Sequence, residues 1–377
     1  MDDYKKHIKD KVVLVTGGAG AIGSNLTREL ADLGASTVIV LDDMSAAYEW
    51  NIPSLPNVLF VKGSVTDEVS LKRVFALKPD LVYHLAAFFA NQNSVDFPQR
   101  DLMTNGLGTL LVYQYAQMCQ TGRVVFASSG CSIYGHAAPL PLKEDFMSMH
   151  LTTPYQITKM LGELYANFFH HHYGLPIVKT RFFNSYGPGE VPGQYRNVIP
   201  NFIFRAMSGL PLPFTGSGEE TRDFTYVTDI VDALLRAGYF EKALGHEMNI
   251  ASGAEVRILD MAEKVNELTG NKAGIIRARP RIWDTKKRLL ASIERARELL
   301  GYKPKVDFNA GLKATVEWFR TYWNEIRRDA EFPPGMSAAA PGVLARKEQD
   351  TDTTDIGIAA RAMTDGERLS QVAEFSR

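Results

Sequence analysis

The sequence predicts an α/β protein: a Rossmann-type doubly wound parallel sheet, with a smaller C-terminal α/β substrate-binding region. Three observations predict it. Through the first 130 residues, apolar β-branched runs alternate with amphipathic segments, which argues for βαβ units. The runs are continuously apolar, as strands buried on both faces of a parallel sheet are. Gly17, Gly20 and Gly23 stand between the first run and the first amphipathic segment. That is where a dinucleotide's pyrophosphate meets a helix N-terminus.

The elements follow in order. "KVVLVTG", "STVIVLDD", "VLFVKGS", "DLVYHLAA" and "RVVFASS" read as five strands, and "LPIVKTRFFNSYGPG" as a sixth running into a Gly/Pro loop. "SNLTRELADLG" has helical period and ends on Gly34. From about residue 187 the texture changes to "GPGEVPG", a loop, and then to the helix-like segments "NVIPNFIFRAMSGLPL", "LDMAEKVNELTG" and "IERARELLGY". Leu312, Val316, Phe319 and Trp323 form a helical stripe that reads as core packing. The division is a cofactor-binding domain over 1–186, to which later segments return, a second region over 187–330, and a loosely ordered Ala/Pro/Gly/Asp/Thr-rich tail over 331–377.

Composition excludes several function classes. The 377 residues are 45% hydrophobic and 23% charged, with net charge −1, so there is no global electrostatic case for nucleic acid or an anionic membrane. Two cysteines, Cys119 and Cys131, make no disulfide framework, and no Cys/His cluster has zinc-ligand spacing. The run "FFHHHYG" reads as a helix end with Gly174 just beyond it, not as a metal site. The N-terminus lacks an apolar segment and no run is long enough to cross a bilayer, so the expected location is the cytoplasm.

Two stretches carry chemistry. After the glycine turn, an acidic residue about 20 positions on, Asp42, ends the second strand. Its carboxylate accepts from adenosine ribose hydroxyls and repels a 2′-phosphate, so the expected cofactor is NAD and not NADP. The second stretch is "TPYQITKMLGE", 153–163. Thr153 suits an N-cap and Pro154 the first helical position. Tyr155 and Lys159 then share one helix face at i and i+4. A nearby cation lowers a phenol's pKa, which suits Tyr155 to take a proton from a sugar or alcohol hydroxyl.

The Gly-x-x-Gly-x-x-Gly spacing with "YQITK" about 130 residues later resembles the extended short-chain dehydrogenases/reductases, the NAD-dependent sugar-nucleotide epimerases and dehydratases. "VYHLAA" (82–87), "NGLGT" (105–109), "ASSGCSIYG" (127–135), "RFFNSYGPG" (181–189) and "RDFTYVTDIVDAL" (222–234) extend the likeness over residues 11–325. The resemblance implies cofactor contacts from Gly17, Gly20, Ala21, Ile22, Gly23, Asp42, Asp43, Ser64, Val65, Leu85, Ala86, Ala87, Asn105, Tyr155, Lys159 and Phe182. It implies substrate contacts from Asn184, Asn197, Val198 and Arg222, with Arg196 in the recognition loop a candidate for a sugar carboxylate. The implied cycle passes through a transient 4-keto sugar, with Tyr155 as the base and Lys159 on the nicotinamide ribose.

The family pattern is not complete. Four positions before Tyr134, where Ser or Thr is usual, stands Gly130, so Ser132 or Ser129 must supply the active-site hydroxyl. Ser64 replaces an Asp that often meets adenine. Dehydratases carry an Asp–Glu pair where this chain has Cys131 and Ser132, and decarboxylases that make xylose nucleotides carry Glu at the position of Ser132. Epimerisation of a nucleotide-diphosphate sugar, most commonly at C4 and of a UDP-sugar, is the reading left. A 4,6-dehydratase or UDP-glucuronate decarboxylase, a 3,5-epimerase using Cys131, and a non-catalytic NAD-binding scaffold or sensor are the alternatives. The resemblance also implies a homodimer through a four-helix bundle, presenting Leu110, Leu111, Tyr115, Leu161, Leu164 and Phe168.

Overall fold

The computed structural model describes residues 2–135, 137–278 and 286–330. Seven strands make its main sheet: β1 (Val12–Thr16), β2 (Thr37–Asp42), β3 (Val58–Lys62), β4 (Leu81–His84), β5 (Arg123–Ser129), β6 (Ile177–Phe182) and β7 (Glu247–Ile250). All neighbours are parallel, in the order β7-β6-β5-β4-β1-β2-β3. The first three strands step outward in one direction, and the chain then crosses back to build β4 to β7 on the other side of β1. The order reverses between β1 and β4, so a crevice opens at the carboxyl ends of those two strands, where open α/β sheets bind ligands.

Alternate residues explain why the runs are continuously apolar. Val13 and Val15 of β1, Tyr83 of β4 and Val125 of β5 belong to one core; Leu14, Val82, Val124 and Phe126 belong to the other. Side chains of a strand alternate faces, so a sheet covered on both sides needs an apolar residue at every step. Helices α1 (Ala21–Asp32), α2 (Glu68–Phe75), α3 (Thr109–Met118), α4 (Pro154–Tyr173), α5 (Val198–Met207), α6 (Val227–Ala237), α7 (Ile258–Thr269) and α8 (Phe308–Thr321) complete the main architecture. α1 and α6 cover one face, and α2, α3 and α4 the other.

A third core joins Ile199, Phe202 and Ile203 of α5, Met261 and Val265 of α7, and Leu312, Val316 and Phe319 of α8. Trp323 packs against it from the next helix, Trp323–Asp329. The chain beyond 186 therefore serves both regions. α6, β7 and residues 296–302 return to the first core, and α5, α7 and α8 build the second region. The reading of residues 331–377 as a tail lies outside the described residues. Among the described residues, no helix is long and apolar enough to cross a membrane.

α4 is the helix that carries the chemistry. Thr153 caps it by accepting from Gln156 N, Pro154 fills the first turn, and Gly174 ends it at φ 68°. Its outer face carries Ile157, Leu164 and Phe168, the last two 48% and 47% exposed. Leu102, Met103 and Leu107 are exposed on the wide turn Leu102–Gly108 that leads into α3. Tyr115, expected on this face, is instead buried, with its hydroxyl donating to Glu68 Oε2 at 2.9 Å. Leu110 and Leu111 lie half-buried against the inner core.

The inner face of α4 is held by charge. Glu163 accepts two bonds from Arg181 of β6, Nε at 2.9 Å and Nη2 at 2.7 Å, and both side chains are buried. Arg181 Nη1 also donates to Tyr134 Oη at 2.9 Å and to Glu144 O at 3.1 Å. Tyr134 Oη donates to Asn249 Oδ1 of β7 at 2.6 Å, and Ser128 of β5 donates to Glu163. Removing one partner strands a buried charge, which costs about 3–5 kcal/mol. Arg181→Met is expected to lower unfolding free energy by about that much, measured by urea denaturation; a loss below about 1 kcal/mol would show the pair is not holding α4.

Candidate active site

The strand ends and the loops after them enclose a cavity of about 320 Å³. Its floor is the glycine turn. Gly17 has φ +70°, and a Cβ there would stand 2.6 Å from Ala86 N. A Cβ on Gly23 would stand 2.1 Å from Gly17 O. Only glycine lets the turn press on the loop after β4 while α1 presses on the turn. α1 begins after Gly20 with no side-chain cap. Gly20, Ala21, Ile22 and Gly23, at the start of that helix, line the cavity, an arrangement suited to a phosphate.

Asp42 closes the far end. Its Oδ2 accepts from Ala19 N at 3.1 Å and its Oδ1 from Met44 N at 3.0 Å. A carboxylate has about four acceptor sites, so two remain for a ribose diol. Burial pushes its pKa up, against the two backbone bonds that pull it down. Asp43, Ser64, Val65, Leu85, Ala86, Ala87 and Phe182 line the same cavity. The glycine cradle, the uncapped helix start and the carboxylate together fit NAD.

Three expected contacts fall elsewhere. Asn105 is behind the wall: its Oδ1 accepts from Phe88 N at 2.7 Å and its Nδ2 donates to Phe88 O at 3.1 Å, so it shapes the loop after β4. Val198 opens α5 but does not line the cavity. Arg222 also stands outside the lining; it donates to Thr221 O and Lys286 O, and its charge acts on the Cys131 thiol. Arg196 does line the cavity, but at the Asp42 end, where it donates to Ala46 O. The reason is long-range: the loop after β6 folds back over α1, with Gly189 O accepting from Asn51 and Pro188 O from Asn25.

The other end of the cavity holds Ser129, Cys131, Ser132, Tyr155, Lys159, Asn184 and Asn197. Lys159 Nζ donates to Ala127 O at 2.8 Å and lies 5.6 Å from the centre of the Tyr155 ring. Ser129 Oγ donates to Ser132 Oγ at 3.0 Å, and Ser129 is the hydroxyl that lowers the Tyr155 phenol. The two hydroxyls thus form a pair in the cavity wall with Tyr155, and Ser129 is the one that acts on the phenol. Gly130 has a physical reason: a Cβ there would lie 1.8 Å from the Phe183 ring. Cys131 Sγ donates to Asn184 Oδ1 at 3.2 Å and accepts from Asn184 N at 3.3 Å. The thiol thereby holds the Asn184 amide with its NH₂ turned to other partners. Burial pushes that thiol up to about 11, so it is an inert orienting group.

The electrostatics correct one expectation. Burial, then Asp101 and Cys131, push the Tyr155 phenol up, and only the Ser129 bond pulls it down. Burial also brings Lys159 down to about 8, opposed by Asp101 and Glu163. In the protein alone, burial and the neighbouring acidic groups outweigh the lowering interaction with Ser129. A bound oxidised nicotinamide would supply a further positive charge that favours the phenolate. His84 is held neutral, down at about 3, by burial and by Lys159; it bridges Thr16 at 2.7 Å and Thr109 at 3.0 Å.

The sequence reading passed over Glu190, a buried carboxyl in the cavity wall. It accepts from Asn197 Nδ2 at 2.9 Å and Asn197 N at 3.3 Å. Its place in "YGPGE", directly after a motif that enters the site, was the available signal.

A doubly wound sheet with a dinucleotide cradle and a hydroxyl–phenol–lysine cluster over it defines a Rossmann-fold enzyme of the short-chain dehydrogenase/reductase type. Comparison with known proteins narrows this. The model of the NAD-dependent epimerase/dehydratase family matches residues 13–251, and the chain belongs to that family. The structure of the epimerase Mth375 from Methanothermobacter thermautotrophicus is 54% identical and superposes with a TM-score of 0.87, covering 88% of this chain and 98% of that one. A UDP-glucose 4-epimerase from Mycolicibacterium smegmatis is 34% identical over 311 residues, 81% of this chain and 98% of that protein. A UDP-N-acetyl-alpha-D-glucosaminuronate decarboxylase from Bacillus cytotoxicus is 32% identical over 325 residues, 84% of this chain and 99% of that protein. Family membership therefore leaves the reaction to be read from the site.

Glu190 supplies a test. Burial raises it from the usual 4.5 to about 7. A carboxyl raised on folding binds its proton more tightly in the native state, so its contribution is full below about pH 4.5 and is lost as pH climbs through 7. Glu190→Gln keeps an oxygen for Asn197 and removes the titration. The cofactor-free variant should lose the pH slope between those values and be about 3 kcal/mol more stable than the parent at pH 8, read by denaturant unfolding; an unchanged slope would refute this.

Proposed function

We propose that the protein epimerises a nucleotide-diphosphate sugar, most specifically a UDP-sugar at C4, through a transient 4-keto sugar. One observation carries the choice among the family's reactions. The carboxylates lining the cavity are, among the described residues, Asp42, Asp43 and Glu190; the first two accept from the backbone N–H groups of Ala19, Met44 and Ser45, and Glu190 accepts from Asn197. The sugar end offers hydroxyls, an amide and a thiol. Removing water from a sugar ring requires a carboxylic acid at the leaving oxygen, and the lining residues that follow Ser129, namely Cys131 and Ser132, are not carboxylic acids.

NAD supplies the acceptor and donor of the hydride. The chain does the rest. Tyr155, as phenolate, takes the proton of the sugar hydroxyl and later returns it. Ser129, backed by Ser132, bonds the same oxygen and keeps the phenol aligned. Lys159, anchored on Ala127 O, holds the ribose beside it. Asn184 and Asn197 hold the nucleotide end, which confines the reacting ring while leaving it free to turn. The relatives named as UDP-sugar 4-epimerases support this reading.

Incubation with UDP-, GDP- and CDP-sugars, followed by chromatography, should give interconversion of one C4 epimer pair with no net reduction of added NAD. Release of a 4-keto-6-deoxy sugar or of carbon dioxide would overturn the assignment. Tyr155→Phe should lower turnover roughly 10²–10⁴-fold with fold and cofactor content kept; near-parental turnover would remove Tyr155 as the base.

We also propose that the protein works as a homodimer through the exposed apolar face of Ile157, Leu164 and Phe168 with Leu102, Met103 and Leu107. Contiguous apolar surface of this kind marks an interface. Replacing Leu164 and Phe168 together by Asp should give a folded monomer in light scattering; a parent that is already monomeric at micromolar concentration would end the proposal.

A further inference from the structure

Asp101 is fully buried, yet it belongs to no strand and does not line the cavity. It ends the short helix Pro98–Asp101 and leads into the wide turn Leu102–Gly108. Its Oδ2 accepts from Thr158 Oγ1 at 2.8 Å, and its Oδ1 from Asn105 Nδ2 at 2.8 Å. Thr158 is the residue before Lys159 on α4. Asn105 in turn grips both backbone atoms of Phe88. One carboxylate therefore joins the helix of the Tyr–Lys pair to the loop that follows β4 and lines the cofactor's place. Both direct partners are neutral, so its charge is not quenched by them in a medium where charges act strongly.

We propose that Asp101 is a positioning residue of the proton-transfer site: its charge is set against the Tyr155–Lys159 pair, and its hydrogen bonds lock the cofactor-side loop to α4. This rests on the reading of Tyr155 as the base. The charge acts on two groups at once. It is the largest charge opposing ionisation of Tyr155, and with Glu163 it opposes the loss of the proton from Lys159. The other groups facing this pair are accounted for. Glu163 is spent on Arg181, His84 is neutral, and the Cys131 thiol stays protonated. Arg100, on the same short helix, is turned over the Phe88 ring at 4.8 Å. Asp101 thus keeps an ammonium at position 159 inside a fully buried site, at the expense of a phenol harder to ionise.

The two roles separate by mutation. Asp101→Asn can accept from Asn105 and donate to Thr158, so it keeps the lock and removes the charge. It should hold NAD within about twofold of the parent, while the acidic limb of the kcat–pH profile moves down by about one pH unit, the scale of one nearby charge. The phenol titration of Tyr155, read as the ultraviolet difference against Tyr155→Phe in the cofactor-free protein, should move the same way. Asp101→Leu breaks the lock and should release NAD roughly tenfold more readily. Normal NAD content with an unmoved limb and an unmoved phenol titration in Asp101→Asn would overturn the inference and leave Asp101 a packing residue. If Asp101→Asn does not fold, Asn105→Leu cuts the lock from the other side; it should loosen NAD without moving the limb, and undiminished NAD retention there would equally overturn it. The base assignment fails separately, through an active Tyr155→Phe.

Discussion

The Glu163–Arg181 pair is the constraint on which the site depends. It lies under α4, one turn beyond Lys159, and fastens that helix to β6. Through Ser128 it reaches β5, and through Tyr134 and Asn249 it reaches β7. Three strands and the reactive helix are thus held at fixed offsets by groups that are all shielded from water. Buried charges tolerate little misalignment, so the network converts sequence-distant segments into a rigid platform. Tyr155, Ser129 and Asn184 stand on that platform, each on a different element.

Burial that makes the platform rigid also works against its chemistry. The phenol and the lysine are most needed in charged forms, and desolvation disfavours both charges. The chain answers with oriented neutral donors and distant carboxylates, and leaves the decisive positive charge to the bound dinucleotide. In the proposed reaction, proton abstraction by Tyr155 would thereby be tied to occupancy by the oxidised cofactor. A phenol that ionised readily without it would be a general base with nothing to accept the hydride.

Much of this was legible in the sequence because it is written in local pattern. The six strands, the glycine turn, the Asp42 carboxylate and the capped helix at Thr153 all depend on neighbours within a few residues. β7, "EMNI", was not read as a strand: four residues with Glu at the start carry too little periodicity, and only pairing with β6 defines them. Asp101 and Glu190 were missed for a related reason. Each is a common residue in a loop or a short helix, and its burial is created by chain more than fifty residues away or by a loop folding back. Arg196 was read toward the sugar because loop direction is not local; Asn25 and Asn51 turn that loop over α1. Tyr115 looked like interface because its helix is apolar on more than one side, and a hydroxyl partner on α2 drew it inward.

Phe183 fills the volume in which a side chain at position 130 would stand. A serine or threonine restored at Gly130 would strike the ring, while a smaller residue at 183 alone would leave a void beside the cavity. Each single step is unfavourable, so the residues at 130 and 183 constrain one another sterically. A hydroxyl on a side chain at position 130 therefore requires a smaller residue at 183, and the hydroxyls that line the cavity on either side of Gly130 are those of Ser129 and Ser132.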